Sequence, residues 1–190
     1  MLGVGADFST QLDLPAAVAH QRRTFFYLGS SIGNFSDTEA VPLLERLRRN
    51  MGAKDGMLIG MDLVKPIATL EAAYDDALGV TAAFNRNVLL HINRILGSDF
   101  RLEDWRHVAL FNTQASRIEM HLEALREVRV TWPGGERLFA AHERMHTENS
   151  YKYTPKSARA LLQQAGLAVQ QLWTDPMGYF ALIYATPTHT

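Results

Sequence analysis

The chain has 190 residues, 47% hydrophobic and 21% charged, with a formal net charge of −1. That composition buries the core of one domain, or one and a fraction, and excludes a disordered chain. The absence of cysteine excludes disulfides, zinc–thiolate sites and thiol nucleophiles, and without a long Lys/Arg run there is no electrostatic footprint for nucleic acid. No apolar run approaches the roughly 18 residues of a membrane span and no signal sequence is visible, so a cytoplasmic protein is expected.

Short apolar runs alternate with helical patterns, as in an α/β sheet with crossover helices. Thr24 to Leu28 reads as a buried strand, ended by Gly29-Ser30-Ser31-Ile32-Gly33-Asn34. Ser36 or Asp37 then caps a helix with Ala40, Val41, Leu43, Leu44 and Leu47 on one face, stopping near Gly52. Met57 to Met61 is the next strand and ends on Asp62, so residues 24–62 form a βαβ unit. Its loops lie at the carboxyl ends of the strands, where open α/β sheets bind ligands.

From Ala68 to about Gly97 the pattern is helical with a break at Gly79, and Leu89, Ile92, Ile95 and Leu96 form the apolar stripe. Ser116 to Trp132 alternates: Ile118, Met120, Leu122 and Ala124 share one parity, and Glu119, His121 and Glu123 the other. This predicts one half-buried antiparallel strand. Pro133-Gly134-Gly135 turns it back towards 136–140 as a hairpin. The stretch from Pro66 to about Tyr153 therefore reads as an α+β insertion between two parts of the sheet. A helix from Pro155 to Ala165 and two strands, Leu167 to Trp173 and Tyr179 to Ala185, close the chain. The closing strand, Asp-Pro turn and strand suit a methyltransferase-like sheet with an antiparallel edge, and flavodoxin-like or dehydrogenase-like sheets fit nearly as well.

Three segments carry side chains suited to chemistry. In the first loop, Asn34 both donates and accepts, which suits a carboxylate or an amine; it also suits a plain strand-to-helix turn. The two glycines there lack the Gly-x-Gly-x-x-Gly spacing of a dinucleotide site. Tyr74-Asp75-Asp76 offers adjacent carboxylates that converge poorly on a metal and fit better as acids near a helix start. The third segment is His146-Thr147-Glu148-Asn149-Ser150-Tyr151-Lys152-Tyr153. If extended, it places Glu148 and Ser150 on one side, a carboxylate and a hydroxyl for a small ring with two nitrogens. A solvated strand edge is the alternative. His142-Glu143-Arg144-Met145-His146 spells the zinc pattern His-Glu-x-x-His, but that site needs a helix here and a third ligand. The segment follows a hairpin and has weak helical periodicity, so no metal is expected.

Together these segments resemble the histidine-specific N-α-methyltransferases of ergothioneine biosynthesis. The resemblance runs through Phe26 to Asn34, Gly60 to Lys65, Ala73 to Asp76, Gly79 to Asn85, Arg117 to Met120, His146 to Lys152 and Trp173 to Asp175. It implies use of S-adenosylmethionine to methylate the histidine α-amine three times, giving hercynine. It implies that Asn34 and Tyr74 fix the carboxylate and amine end of L-histidine, as catalytic and binding residues. Glu148 and Ser150 then select the imidazole, while Met120 and Phe84 wall the pocket. Asp7 and Phe8 correspond to the adenine-contacting loop, with Ala6 as an extra residue, and Gly29 and Ser31 lie beside the cofactor. Displacement at a sulfonium needs a neutral amine lone pair aimed at the methyl group, so orientation is the protein's main contribution. An analogue without ring N–H groups leaves Glu148 unpaired, which makes the carboxylate selective.

The implied fold is an incomplete Rossmann-like class I methyltransferase sheet with an α+β substrate-binding insertion. Residues 1–65 form a partial cofactor-binding domain, 66–153 the insertion, and 154–190 the return to the sheet. A complete sheet of this kind opens with a strand, a glycine-rich loop and a second strand ending in an acid; none of these is in the sequence. With residues 2–4 as the third strand, the sheet lacks its centre and exposes apolar edges. The expectation is a truncated gene product or fragment with little or no activity alone, or a chain completed by a partner. A methyltransferase acting on another amino acid, and a non-catalytic subunit, are the rival readings.

Overall fold

The computed structural model describes residues 22–188, together with Gly3, Gly5, Leu14, Pro15 and Val18. Asp7 and Phe8 lie outside the described residues, as do Leu2 and Val4 of the strand expected as the third of the sheet. In chain order the elements begin with β1 (Thr24–Tyr27), α1 (Asp37–Arg49), β2 (Gly56–Asp62), α2 (Ile67–Tyr74) and α3 (Val80–Leu96). Five strands follow: β3 (Trp105–Asn112), β4 (Arg117–Ala124), β5 (Val128–Trp132), β6 (Gly135–Phe139) and β7 (Arg144–Tyr151). The chain closes with α4 (Pro155–Gln164), β8 (Leu167–Thr174) and β9 (Phe180–Pro187). They divide between two compact units, residues 1–64 with 151–190, and residues 65–150.

The first unit is α/β, built on a mixed sheet of order β1-β2-β9-β8. β1 and β2 are parallel, from Thr24 opposite Gly56 to Tyr27 opposite Ile59. β9 is antiparallel to both β2 and β8, so the antiparallel strand lies inside the sheet and not at the expected edge. Two features of the sequence explain the placement. Asp175 accepts backbone N–H bonds from Met177, Tyr179 and Phe180, which folds the last two strands into a hairpin. Gly56 and Gly60 of β2 stand where a Cβ would strike the rings of Tyr184 and Phe180, so only a glycine-bearing strand accepts β9 as its neighbour.

α1 starts in a capping box: the Ser36 N–H donates to the Glu39 carboxylate at 2.9 Å, and the Glu39 N–H returns to the Ser36 carbonyl. Its Ala40, Leu43, Leu44 and Leu47 share one core with Met57, Ile59 and Met61 of β2, and with Ala158, Leu161 and Leu162 of α4. The buried carboxylate of Asp55 ties the starts of β1 and β2 together. It accepts from the Arg23 N–H at 2.8 Å, the Gly52 N–H at 2.8 Å and the Arg23 guanidinium at 2.7 Å.

The second unit is α+β. β3 pairs antiparallel with β4 along its full length, from Trp105 opposite Ala124 to Asn112 opposite Arg117, and β7 adds to the far side of β4. β5 and β6 form the hairpin expected at Pro133-Gly134-Gly135. The single strand expected over 116–132 is two strands, because the chain leaves β4 after Ala124 and re-enters extended structure at Val128. The predicted parity holds for Ile118, Met120, Leu122 and Ala124, all buried. Glu119 and Glu123 of the opposite parity are buried as well, through ion pairs with Arg117, Arg106 and Arg144.

The α3 stripe needs correction too. Leu89 is buried, but Ile95 and Leu96 are exposed, and buried Asn85 stands in the inward face instead. The break at Gly79 is real: it adopts φ +70 directly before α3, a left-handed conformation that suits glycine. Among the described residues no helix is long and apolar enough to cross a membrane, which leaves β-barrel spans unaddressed.

Candidate functional site

In the first unit, β1 runs into Gly29 at φ +75 and Ser30 at φ +60, then a 3₁₀ turn over Ser31–Asn34. The Ser30 hydroxyl accepts the Asp62 N–H at 2.7 Å, which binds the loop to the end of β2. A Cβ on Gly60 would lie 3.4 Å from the Gly29 nitrogen and 2.7 Å from the Phe180 ring, so Gly60 lets the loop settle against β2. Ile32 and Gly33 are buried, while Gly29, Ser31 and Asn34 face outwards. Nothing lies within 4 Å of the position a Gly29 Cβ would take, so the backbone there is open to a ligand. At the end of the same strand, Lys152, 1% exposed, donates to Asp62 at 3.0 Å. Neither Ser30 nor the Asp62–Lys152 pair stood out in the sequence. A lysine letter in a polar run carries no sign that its side chain is buried.

In the second unit, the structure brings Tyr74 and Ser150 together: their hydroxyl oxygens stand 2.7 Å apart, and Ser150 is buried. The segment from Arg144 to Tyr151 is a strand, so Glu148, half-buried, follows the two-residue spacing of Ser150 on one side of β7. Met120, 3% exposed, lies on the neighbouring β4 in an apolar cluster with Leu70 and Ile118, against which Tyr74 packs. Thr147 donates to the Met120 carbonyl at 2.9 Å. Phe84 is not part of this group; it is 64% exposed on α3. Asn34 belongs to the first unit and the other four residues to the second.

Tyr74 is held from behind by a relay that the sequence did not reveal. Its carbonyl accepts from His107 Nε2 at 2.7 Å; Nδ1 of the same ring accepts from Asn85 Nδ2 at 3.0 Å. Asn85 Nδ2 also donates to the His121 carbonyl at 3.1 Å. A carbonyl can only accept, so this network sets the His107 tautomer with its proton on Nε2. Asp76 caps α3, accepting the Val80 and Thr81 N–H groups at 3.0 and 2.8 Å. Those bonds, led by Thr81, hold its carboxyl at about 2. It acts as a capping acid at the start of α3.

The His-Glu-x-x-His spelling does not form a helix. His142 is in a turn at φ +64 and β7 begins at Arg144. His146 instead stacks on His121, ring centroids 4.7 Å apart, and Glu119 completes a group whose ligand-type atoms lie within 4.8 Å of one another. Burial raises the Glu119 carboxyl, but hydrogen bonds from Arg117, Asn112 and His121 outweigh it and hold the group at about 2. Arg144, with help from Arg106 and His142, does the same for Glu123.

The first unit is thus an α/β sheet with an open glycine-bearing loop, and the second an α+β unit with a paired tyrosine and serine. The model of the histidine-specific, SAM-dependent methyltransferases matches residues 1–187, and the chain belongs to that family. It is 46% identical over 166 residues to the histidine N-alpha-methyltransferase of Mycolicibacterium smegmatis, covering 86% of this chain and 52% of that protein. It is 45% identical to the protein of the same name from Mycobacterium tuberculosis, with the same coverage. The ergothioneine biosynthesis protein 1 of Neurospora crassa is 32% identical over 177 residues, covering 92% of this chain and 20% of that one. The chain thus spans about half the length of the two histidine N-alpha-methyltransferases it matches.

Proposed function

We propose that this chain supplies the substrate-selecting part of a cytoplasmic methyltransferase that transfers methyl groups from S-adenosylmethionine to the α-amine of L-histidine. The observation that carries the reading is the Tyr74–Ser150 hydroxyl pair, with Glu148 two residues before Ser150 on β7. A carboxylate and a hydroxyl spaced along β7 match the two ring nitrogens of imidazole, one donating to Glu148 and the other accepting from Ser150. The Tyr74 hydroxyl bonds Ser150 and reaches the amine end. The donor molecule supplies the methyl group when bound, and the open backbone at Gly29, with Ser31, is the surface that receives it. The residues here orient a neutral amine, which is the main requirement of an in-line transfer.

The test is a chimera in which this chain replaces the matching part of the Mycolicibacterium smegmatis relative. Methylated histidine, detected by mass spectrometry, is the expected product. Glu148→Ala should raise KM for histidine at least tenfold, since a buried ring N–H loses its partner. A folded chimera that binds S-adenosylmethionine yet leaves histidine unmodified would overturn the reading. Unchanged selectivity in Glu148→Ala would remove the substrate assignment alone.

A further inference from the structure

We propose that Glu119, His121 and His146 form a binding site for a divalent transition-metal ion such as Zn²⁺, on β4 and β7 of the second unit. Each residue offers one ligand-type atom, and these lie within 4.8 Å of one another. His121 Nε2 and Glu119 Oε2 already stand 3.2 Å apart, about the separation that two donors keep around one zinc ion with metal–ligand bonds of about 2.0–2.2 Å. The His146 ring stacks on His121 with 25° between the planes, so binding a shared ion requires the His146 ring to turn to a new rotamer, and its exposed place on the strand leaves room for that turn.

Two of the three ligands, Glu119 and His146, are backed by partners of the kind that metal sites use. Glu119 is tied down through its other oxygen: Oε1 accepts from Asn112 at 2.9 Å and from Arg117 at 2.9 and 2.7 Å, which leaves Oε2 facing His121. His146 Nε2 donates to the Glu148 carbonyl at 3.1 Å, which fixes its tautomer and leaves Nδ1 with the lone pair. The His121 ring is held through Nε2 alone, and its Nδ1 is buried without a hydrogen-bond partner among the described residues. Moving the proton from Nε2 to Nδ1 turns the Nε2 lone pair towards Glu119, with no net proton released. One carboxylate and two imidazoles suit Zn²⁺, Co²⁺ or Ni²⁺ better than Ca²⁺ or Mg²⁺, which prefer all-oxygen sites. Three protein ligands leave a fourth position to water. The nearby Arg144 does not oppose the ion with a free charge, because its guanidinium is engaged by Glu123 at 2.7 Å.

The experiment uses the untagged chain, stripped with chelator, titrated calorimetrically with Zn²⁺ and followed by absorption with Co²⁺. The expected result is one equivalent bound, with visible Co²⁺ bands of a site carrying nitrogen and oxygen donors. His146→Ala, an exposed change that leaves the sheet intact by circular dichroism, should weaken binding at least tenfold. Glu143→Ala should leave it unchanged, because the Glu143 carboxylate is engaged by Arg137 and the Ala140 N–H and is not one of the three ligands. Failure to bind at millimolar Zn²⁺, equal binding by His146→Ala, or loss in Glu143→Ala would each overturn the proposal.

Discussion

Asn85 shows how much one side chain carries. It is 1% exposed in the middle of an amphipathic helix, where an apolar residue is the usual occupant. Its amide orients His107, and His107 in turn holds the carbonyl of Tyr74 at the end of α2. Asn85→Ala leaves a buried imidazole nitrogen and a strand carbonyl without their donor. A loss of about 2 kcal/mol is expected in urea unfolding, and Asn85→Asp should not restore it, because a carboxylate cannot donate to either acceptor. A second outcome belongs at this scale. Tyr74→Phe removes the hydroxyl bonded to Ser150 without altering the ring's packing on Leu70, Ile118 and Met120. In the chimera it should lower kcat/KM for histidine at least tenfold while the melting temperature stays nearly constant; equal losses in Tyr74→Phe and Phe111→Leu would reduce Tyr74 to a core residue.

At the scale of elements, β2 is the strand on which the first unit depends. It pairs on one side with β1 and on the other with β9, and both Gly56 and Gly60 make room for rings of β9. Gly60→Ala forces the Phe180 ring, and with it the Gly29 loop, to shift. Overpacking of this kind costs typically about 1–3 kcal/mol. The expected signature is a lower melting temperature together with weaker S-adenosylmethionine binding in the chimera, since strand and loop share the same glycine. Normal binding with unchanged stability would separate the two. The helices of this unit were legible in advance because their signals are local. The cap at Ser36 and Pro155 at a first turn mark the two starts in the sequence. β3 was not foreseen, and on α3 Ile95 and Leu96 were assigned inward but are exposed, while Asn85 was missed. Both depend on partners far along the chain: β3 is defined by its pairing to β4, and Asn85 turns inward because His107 and the His121 carbonyl accept its bonds.

For the molecule as a whole, acid stability draws on several depressed carboxylates, and in the first unit on the Arg23–Asp55 clamp. Burial raises the Asp55 carboxyl, but the Arg23 and Gly52 N–H groups and the Arg23 guanidinium outweigh it and hold the group below its ordinary value of 3.8. A carboxylate depressed in the folded state contributes its stability above the unfolded value, and that contribution is lost as pH falls through the folded one. Melting temperature should therefore hold down to about pH 4 and drop below it, and Asp55→Asn should flatten the fall. A wild-type and variant curve of the same shape would show that other carboxylates govern acid unfolding.

The sequence by itself determined the family, the βαβ unit, the hairpin at Pro133 and the helix starts, because each rests on neighbouring residues or on an ordered set of short motifs. It also placed Glu148 and Ser150 on one strand, since alternation along an extended chain is a local rule. Only the tertiary structure decided that β9 enters the sheet between β2 and β8, that Lys152 is buried against Asp62, and that His146 meets His121 and Glu119 across two strands. Those outcomes depend on how much room a glycine leaves and on which charges meet when distant strands pair, and neither is written in any single stretch of residues.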